Sequence, residues 1–324
     1  MSALRTLLPL AFALALATGC ITVNLPTGQV SPLYETTLEG EGSSKVLLVQ
    51  IEGVIRETPE DPGLFGFEPE GMVGRLREEL ELAGQDDDIR ALLLRINSPG
   101  GTVTGSDLLY QEIRRFKEKR DVPVVAQLMS IATSGGYYVA QAADSIHAQP
   151  TTVTGSIGVI MAGVNLSGLM EKTGVENQTL VTGEFKDAGT MLRPMRSEER
   201  AQLGTVIDDL FARFLEVVQE GRSELTAEQV RQLADGRIFS APQALEAGLI
   251  DAVGPFEAAL AEARRRAGLS EAQLVTYHRQ REYANNYYTR SPERAGLRPQ
   301  ASWLDRLGLD TPAFLYLWTP GLGF

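Results

Sequence analysis

The chain has 324 residues, enough for one large domain or two modest ones with a sizeable core. Apolar residues make up 43% and charged residues 22%, a globular composition that argues against wholesale disorder. A net charge of −12 speaks against nucleic acid as a partner, because phosphate contact needs a basic surface.

Residues 1–20, MSALRTLLPLAFALALATGC, carry an early cation at Arg5, an apolar run from about Leu7 to Ala17, and then small residues. The run falls short of the ~20 apolar residues of a spanning helix and reads as an export signal. Cys20, the only cysteine, ends it behind Ala17-Thr18-Gly19. This resembles the lipobox of bacterial lipoproteins, where the cysteine is acylated and becomes the mature N-terminus, although leucine is commoner where Ala17 stands. The resemblance implies a protein of the bacterial cell envelope, held to a membrane by lipid and facing the periplasm or exterior. The plainer alternative is an ordinary secretory signal with Cys20 incidental. With one cysteine, no disulfide within the chain staples the fold.

Residues 21–44 are polar and turn-rich and read as a tether. From Lys45, VLLVQIEGVI reads as a buried strand, followed by the Pro/Gly-rich loop RETPEDPGLFGFEPEG. Val73, Leu76, Leu80 and Ala83 then recur at helical spacing. IRALLLRI, residues 89–96, is a nearly continuous apolar run and predicts a strand buried on both faces. It stops at NSPGG, and a helix with Leu109, Ile113 and Phe116 inward follows. VPVVAQLM (122–129) predicts the next strand, and SIHA and TTVTGSIGVIM lie beyond it. A short helix is expected over about 165–173 and a strand over about 178–183. From Ser197 to about Ala267 the pattern is mainly helical, opening with Ser197…Arg200 placed like a capping box, with Ser197 as the cap but without the glutamate at the third position, while Glu198 and Glu199 suit a helix N-terminus. Residues 281–324 form a C-terminal extension: Arg-rich at first, then the apolar, aromatic PAFLYLWTPGLGF. That tail is too short to span a membrane and is expected to pack on the body or on a partner subunit. Repeated strand, loop and helix imply a layered α/β domain over 45–280, with active groups at strand ends.

Candidate chemistry gathers at four places. Ser134-Gly135-Gly136 follows a strand and opens a helix, so the N–H after the serine is placed for a developing oxyanion. On residue type alone, capping the helix is the commoner role for such a serine. In Asn97-Ser98-Pro99-Gly100-Gly101 the glycines permit a sharp turn or the close approach of another chain, and the Gly100 or Gly101 N–H could be a second oxyanion donor. Gly155-Ser156-Ile157-Gly158 alone reads as a turn. Lys186, in GEFKDAGT, is one of only five lysines in a chain that otherwise uses arginine. An amine can lose its proton where a guanidinium cannot, although a solvated turn lysine explains it equally well. The two histidines, His147 and His278, form no evident triad with Ser134. CxxC, HExxH and P-loop motifs are missing, so no metal or other cofactor is implied.

NSPGG, SGGYY, GSIGV and GEFKD, in that order, together resemble signal peptide peptidase A. This is a bacterial serine peptidase family with a Ser/Lys dyad, related in fold to the Clp peptidase and the crotonases. The likeness covers roughly residues 45–265, including ADGRIFSAPQALEAGLIDAVG. It implies a Clp peptidase/crotonase-like layered fold of repeated strand-strand-helix units with a helical C-terminal part. It places the nucleophile on Ser134, the general base on Lys186 and an auxiliary serine on Ser156. It assigns the oxyanion donors to N–H groups of Gly135 and of Gly101 or neighbouring Gly100. It further implies hydrophobic peptide substrates such as released signal peptides, and a homo-oligomer whose neighbours complete each site. A lysine base working near neutral pH must drop about 3 units below the ordinary ~10.4, which burial can supply. Tyr137, Tyr138 or a neighbouring subunit are the candidates for drying it. The competing readings are a crotonase-like acyl-CoA enzyme and an inactive scaffold of the same fold.

Overall fold

The structure is a computed structural model that describes residues 31–57, 71–280, 282, 285–288 and 314–317. The expected export signal and Cys20 lie outside these residues. Strand β1 (Leu33–Glu39) is followed by β2 (Lys45–Glu52), helix α1 (Met72–Ala83), β3 (Ile89–Ser98), β4 (Gly100–Thr102), α2 (Val103–Arg120), β5 (Val124–Thr133) and the short α3 (Gly135–Ala140). Next come β6 (Ser145–Ala148), β7 (Val153–Gly155), β8 (Ile160–Met161), α4 (Ser167–Thr173), the long α5 (Ser197–Gly221), α6 (Ala227–Leu233), β9 (Ile238–Ser240) and α7 (Ala241–Glu246). β10 (Ala252–Val253), α8 (Phe256–Arg266), β11 (Gln273–Arg279) and β12 (Phe314–Leu317) follow.

The main sheet runs β1-β11-β2-β3-β5-β6-β10, and β7 extends it by pairing with the far end of β5 and with β9. β2, β3, β5 and β6 are parallel neighbours. Their continuous apolar sequences follow from being covered on both faces. Leu47, Val49, Ile51, Leu92, Leu94 and Ile96 point into the core beneath α1, α2 and α3. The intervening Val46, Leu48, Ala91 and Leu93 point to the opposite face, against Phe256, Ala259, Leu260 and Ala263 of α8. Leu109, Ile113 and Phe116 of α2 are buried as the helical spacing requires. This is the expected layered α/β arrangement. Among the described residues, no helix is long and apolar enough to cross a membrane.

Three expectations need correction. Residues 33–39, taken with the tether, form β1, which pairs antiparallel with β11. No strand forms over 178–183; residues 171–186 are exposed, and among the described residues no strand pairs with them. Ser197 is the first residue of α5 rather than its cap: Arg196 is the N-cap, and its N–H donates to the Glu199 carboxylate at 2.9 Å. Part of the C-terminal extension packs on the body. β12 lies between β4 and β8, antiparallel to both, in a second, three-stranded sheet.

Candidate active site

The parallel register of β5 and β7 sets Thr133 opposite Gly155. The residues that follow, Ser134 and Ser156, therefore leave the C-terminal ends of adjacent strands together, where open α/β sheets bind ligands. Each has φ 51°; with Asp121 they are the non-glycine residues of positive φ among those described. Such a conformation costs on the order of 1–3 kcal/mol and persists only where its surroundings impose it. At Ser134 the constraints are visible. Its N–H donates to the Gly155 carbonyl at 2.7 Å, and α3 begins at the next residue. A Cβ at Gly136 would stand 2.8 Å from the Ser98 carbonyl oxygen, so the corner turns tightly against β3. At Ser156 the N–H donates to the Arg237 carbonyl at 2.7 Å. Ser134 occupies the N-cap position, yet its side chain makes no capping bond. The commoner role for a serine there is thus not the one it plays. Ser134 is 1% exposed and Ser156 9%.

The NSPGG segment runs beside this corner. Ser98 Oγ donates to the Gly53 carbonyl at 2.6 Å, and the Gly100 N–H donates to Ser98 Oγ at 3.1 Å. Gly100 is therefore a conformational residue, with φ 104°, rather than a free donor. The Ile55 N–H takes the Gly100 carbonyl at 2.8 Å, and the Thr102 N–H reaches the Ile55 carbonyl at 2.9 Å. Because strand groups alternate in direction, the N–H and carbonyl of Gly101 face the other way, toward β12, where Tyr316 is its partner. A Cβ on Gly100 would strike the Tyr316 carbonyl oxygen and stand 2.8 Å from the Gly135 nitrogen. A Cβ on Gly135 would lie 3.1 Å from that same oxygen and 3.2 Å from Gly100 Cα. Gly100, Gly101, the start of α3 and the Tyr316 carbonyl thus converge. Gly135 is the first residue of α3, and the first N–H groups of a helix have no partner within it.

Lys186 is not part of this cluster. It sits on an exposed turn, its N–H donating to the Gly183 carbonyl at 3.0 Å, and among the described residues its amine is bonded to neither serine. The expected cover from Tyr137 and Tyr138 is not there. Both rings are in the core; Tyr137 donates to the Leu249 carbonyl at 2.7 Å and Tyr138 to Asp107 at 2.5 Å. The turn itself is firmly held. Arg193 grips Asp187, next to Lys186, at 2.7 and 3.0 Å, and pairs with Glu199 at the start of α5. Arg196 also pairs with Glu199, at 2.5 Å, and reaches back to the Glu184 carbonyl. The Glu199 side chain is wholly buried beneath these arginines. Its hydrogen bonds with Arg193 outweigh burial and hold its carboxyl at about 2, well below the usual range. The Arg193 hydrogen bond likewise keeps Asp187 low.

The structure brings Ser134, Ser156, Gly100, Gly101 and Gly135 together and leaves Lys186 apart. Sequence reasoning missed Ser98, which shapes the glycine loop, although it lies inside NSPGG. It also missed Tyr316 and the Arg193–Glu199 pair. The former depends on a pairing more than 200 residues long, and the latter resembles any surface charge pair until burial is known.

Peptidase family S49 is the family whose model matches the chain, over residues 116–270, a span that contains Ser134, Ser156 and Lys186. A protein named as signal peptide peptidase SppA from Enterococcus faecium is 36% identical over 243 residues, covering 75% of this chain and 70% of that one. A Synechocystis protein named as a protease is 44% identical over 55% of this chain and 64% of its own length. The chloroplastic serine protease SPPA of Arabidopsis thaliana is 34% identical over 62% of this chain but only 30% of its own, so the chain spans a minor part of that relative.

Proposed function

The chain belongs to peptidase family S49, a serine peptidase family, and we propose that it works as a membrane-tethered endopeptidase with Ser134 as nucleophile and Lys186 as base. The observation that carries this reading is the corner at Ser134: a buried serine held at φ 51° on a strand-to-helix turn, its side chain not spent on capping. A serine hydroxyl is a poor nucleophile until a base takes its proton. In this reading Lys186, as the neutral amine, takes it while Ser134 attacks a peptide carbonyl. The Gly101 and Gly135 N–H groups receive the oxyanion, the proton passes to the leaving amine, and water deacylates the enzyme by the same route. Ser156, beside Ser134, is the group that would orient the amine.

A neutral amine needs dry surroundings, and the exposed turn does not provide them within one chain. Leu169, Val175, Leu180, Val181 and Phe185 all stand exposed on the same stretch, Leu180 at 97%. An apolar surface of this kind next to a residue that needs burial supports a homo-oligomer, in which a second copy covers the turn and brings Lys186 to Ser134. The substrates in this reading are extended hydrophobic peptides such as released signal peptides, and Cys20 carries the lipid that holds the enzyme at the envelope membrane. The test is labelling of the full chain with a fluorophosphonate probe, followed by peptide mass mapping. The adduct should fall on Ser134 and vanish in Ser134→Ala; an unlabelled wild type that is correctly assembled would overturn the reading.

A further inference from the structure

Lys186 stands between two points at which its turn is tied to the start of α5. On one side Arg196 reaches back to the Glu184 carbonyl. On the other, Arg193 takes both oxygens of the Asp187 carboxylate, Nη2 to Oδ1 at 2.7 Å and Nε to Oδ2 at 3.0 Å. Both arginines converge on Glu199: Arg193 Nη1 donates to its Oε2 at 2.9 Å and Arg196 Nη2 to its Oε1 at 2.5 Å. The local sequence favours this. Pro194 restricts Arg193 to extended backbone, and Glu199 is the third residue of α5, where a helix N-terminus favours a carboxylate. Between the ties the turn is stiffened by backbone bonds from Lys186 to Gly183, Ala188 to Phe185 and Thr190 to Asp187, at 3.0, 3.1 and 3.0 Å. Residues 171–186 are exposed, whereas the Glu199 side chain has no exposed surface. An open segment is thus moored, on both sides of Lys186, to a buried anion. A buried ion pair adds little stability over an apolar substitute, so fixing a geometry is the role left to it.

We infer that Asp187, Arg193 and Glu199 are positioning residues for the reaction: they lock the Lys186 turn onto the start of α5, so that the amine meets Ser134 in a single orientation. The inference rests on Lys186 being the base that serves Ser134. None of the three touches the reacting atoms; each acts through the backbone beside Lys186. A misplacement of about 1 Å in such a group costs on the order of 100-fold in rate. Arginine is needed at 193 because one planar fork spans two carboxylates, whereas an ammonium is a point charge that cannot grip Asp187 through two bonds and hold Glu199 as well. A loosened turn impairs the chemical step and not the binding of the peptide, so the loss falls on kcat and leaves KM unchanged.

The experiment uses the full chain and a fluorogenic signal-peptide-like substrate, with kcat taken per assembled protomer and assembly followed by light scattering. Asp187→Ala cuts the tie to the turn and leaves the buried Arg193–Glu199 pair in place; kcat should fall about 10–100-fold at unchanged KM and unchanged assembly. Asp187→Asn, which keeps one acceptor oxygen for Arg193, should recover most of that loss. Arg193→Ala should match Asp187→Ala, and free guanidinium ion, well below the concentrations that unfold proteins, should restore part of its kcat but none of that of Asp187→Ala. Arg193→Lys should stay low. If Arg193→Ala does not fold, the two Asp187 variants decide the matter by themselves. A wild-type kcat in Asp187→Ala, a loss carried by KM, or a loss that tracks falling assembly overturns the inference and leaves the peptidase reading intact. A wild type that shows no Ser134-dependent hydrolysis or labelling would instead sink the peptidase reading, and this inference with it.

Discussion

Replacing Gly100 by alanine separates what this glycine does for the fold from what it does for the groove. At φ 104° an alanine is strained, at a cost of about 1–3 kcal/mol. Gly42 has nearly the same φ, 100°, with nothing within 4 Å of an added Cβ, so Gly42→Ala carries the strain alone. At Gly100 the new methyl would also project into the Tyr316 carbonyl and toward the Gly135 nitrogen, where the carbonyl of a substrate would have to sit. Losing one oxyanion contact typically costs about 3–4 kcal/mol of transition-state stabilisation, roughly 100-fold or more in rate. Both variants should therefore melt lower, by about 2–4 °C for each kcal/mol of strain. Only Gly100→Ala should lose activity, by roughly 100-fold in kcat/KM on a peptide substrate. Melting followed by circular dichroism and steady-state hydrolysis give the two readouts. A Gly100→Ala chain that keeps most of its activity, or a Gly42→Ala chain that loses as much, would refute the placement of the oxyanion site.

Glu199 is held at about 2, against an ordinary value of 4.5, so its contribution to stability is complete above 4.5 and is lost as pH falls toward about 2. Glu199→Gln should be the less stable chain at neutral pH, and the gap to wild type in acid-unfolding curves should close across that window. Tyr138→Phe removes the 2.5 Å hydrogen bond to Asp107, while Asp107 keeps Arg213 at 3.4 Å; a loss of about 1 kcal/mol in urea unfolding is expected. Leu180→Asp puts a charge on the exposed apolar stretch. In the proposed homo-oligomer this charge would fall at the subunit contact, so light scattering should show smaller species than for wild type, with peptidase activity falling in step.

The central strands were legible because burial on both faces writes a continuous apolar run, and β2, β3 and β5 all carry one. Ser134 was legible as a position but not as a conformation. Its residue type suits a cap, and only the tight packing of Gly136 on Ser98 and the bond to Gly155 force it to φ 51° instead. β1 and β12 were missed as strands for one reason: each takes its order from a partner far along the chain, β11 in one case and β4 with β8 in the other. The segment around Leu180 shows the opposite failure. Its apolar residues suggest a strand, but none of the described residues buries them, so the pattern there reports on a surface and not on an element. Lys186 drew notice because lysines are scarce, yet the Arg193–Glu199 clamp on its turn joins charges whose burial no local pattern reveals.

The pairing of Ser134 with Lys186 is tested most directly by hydrolysis of a signal-peptide-like substrate by assembled wild type, Ser134→Ala, Lys186→Ala and Lys186→Arg. Each is followed from about pH 6 to about pH 10. The account predicts that the assembled wild type hydrolyses the substrate. All three variants should fall to background, the arginine one included, because a guanidinium cannot serve as the base. Lys186→Ala or Lys186→Arg chains that assemble normally and keep wild-type activity would contradict it.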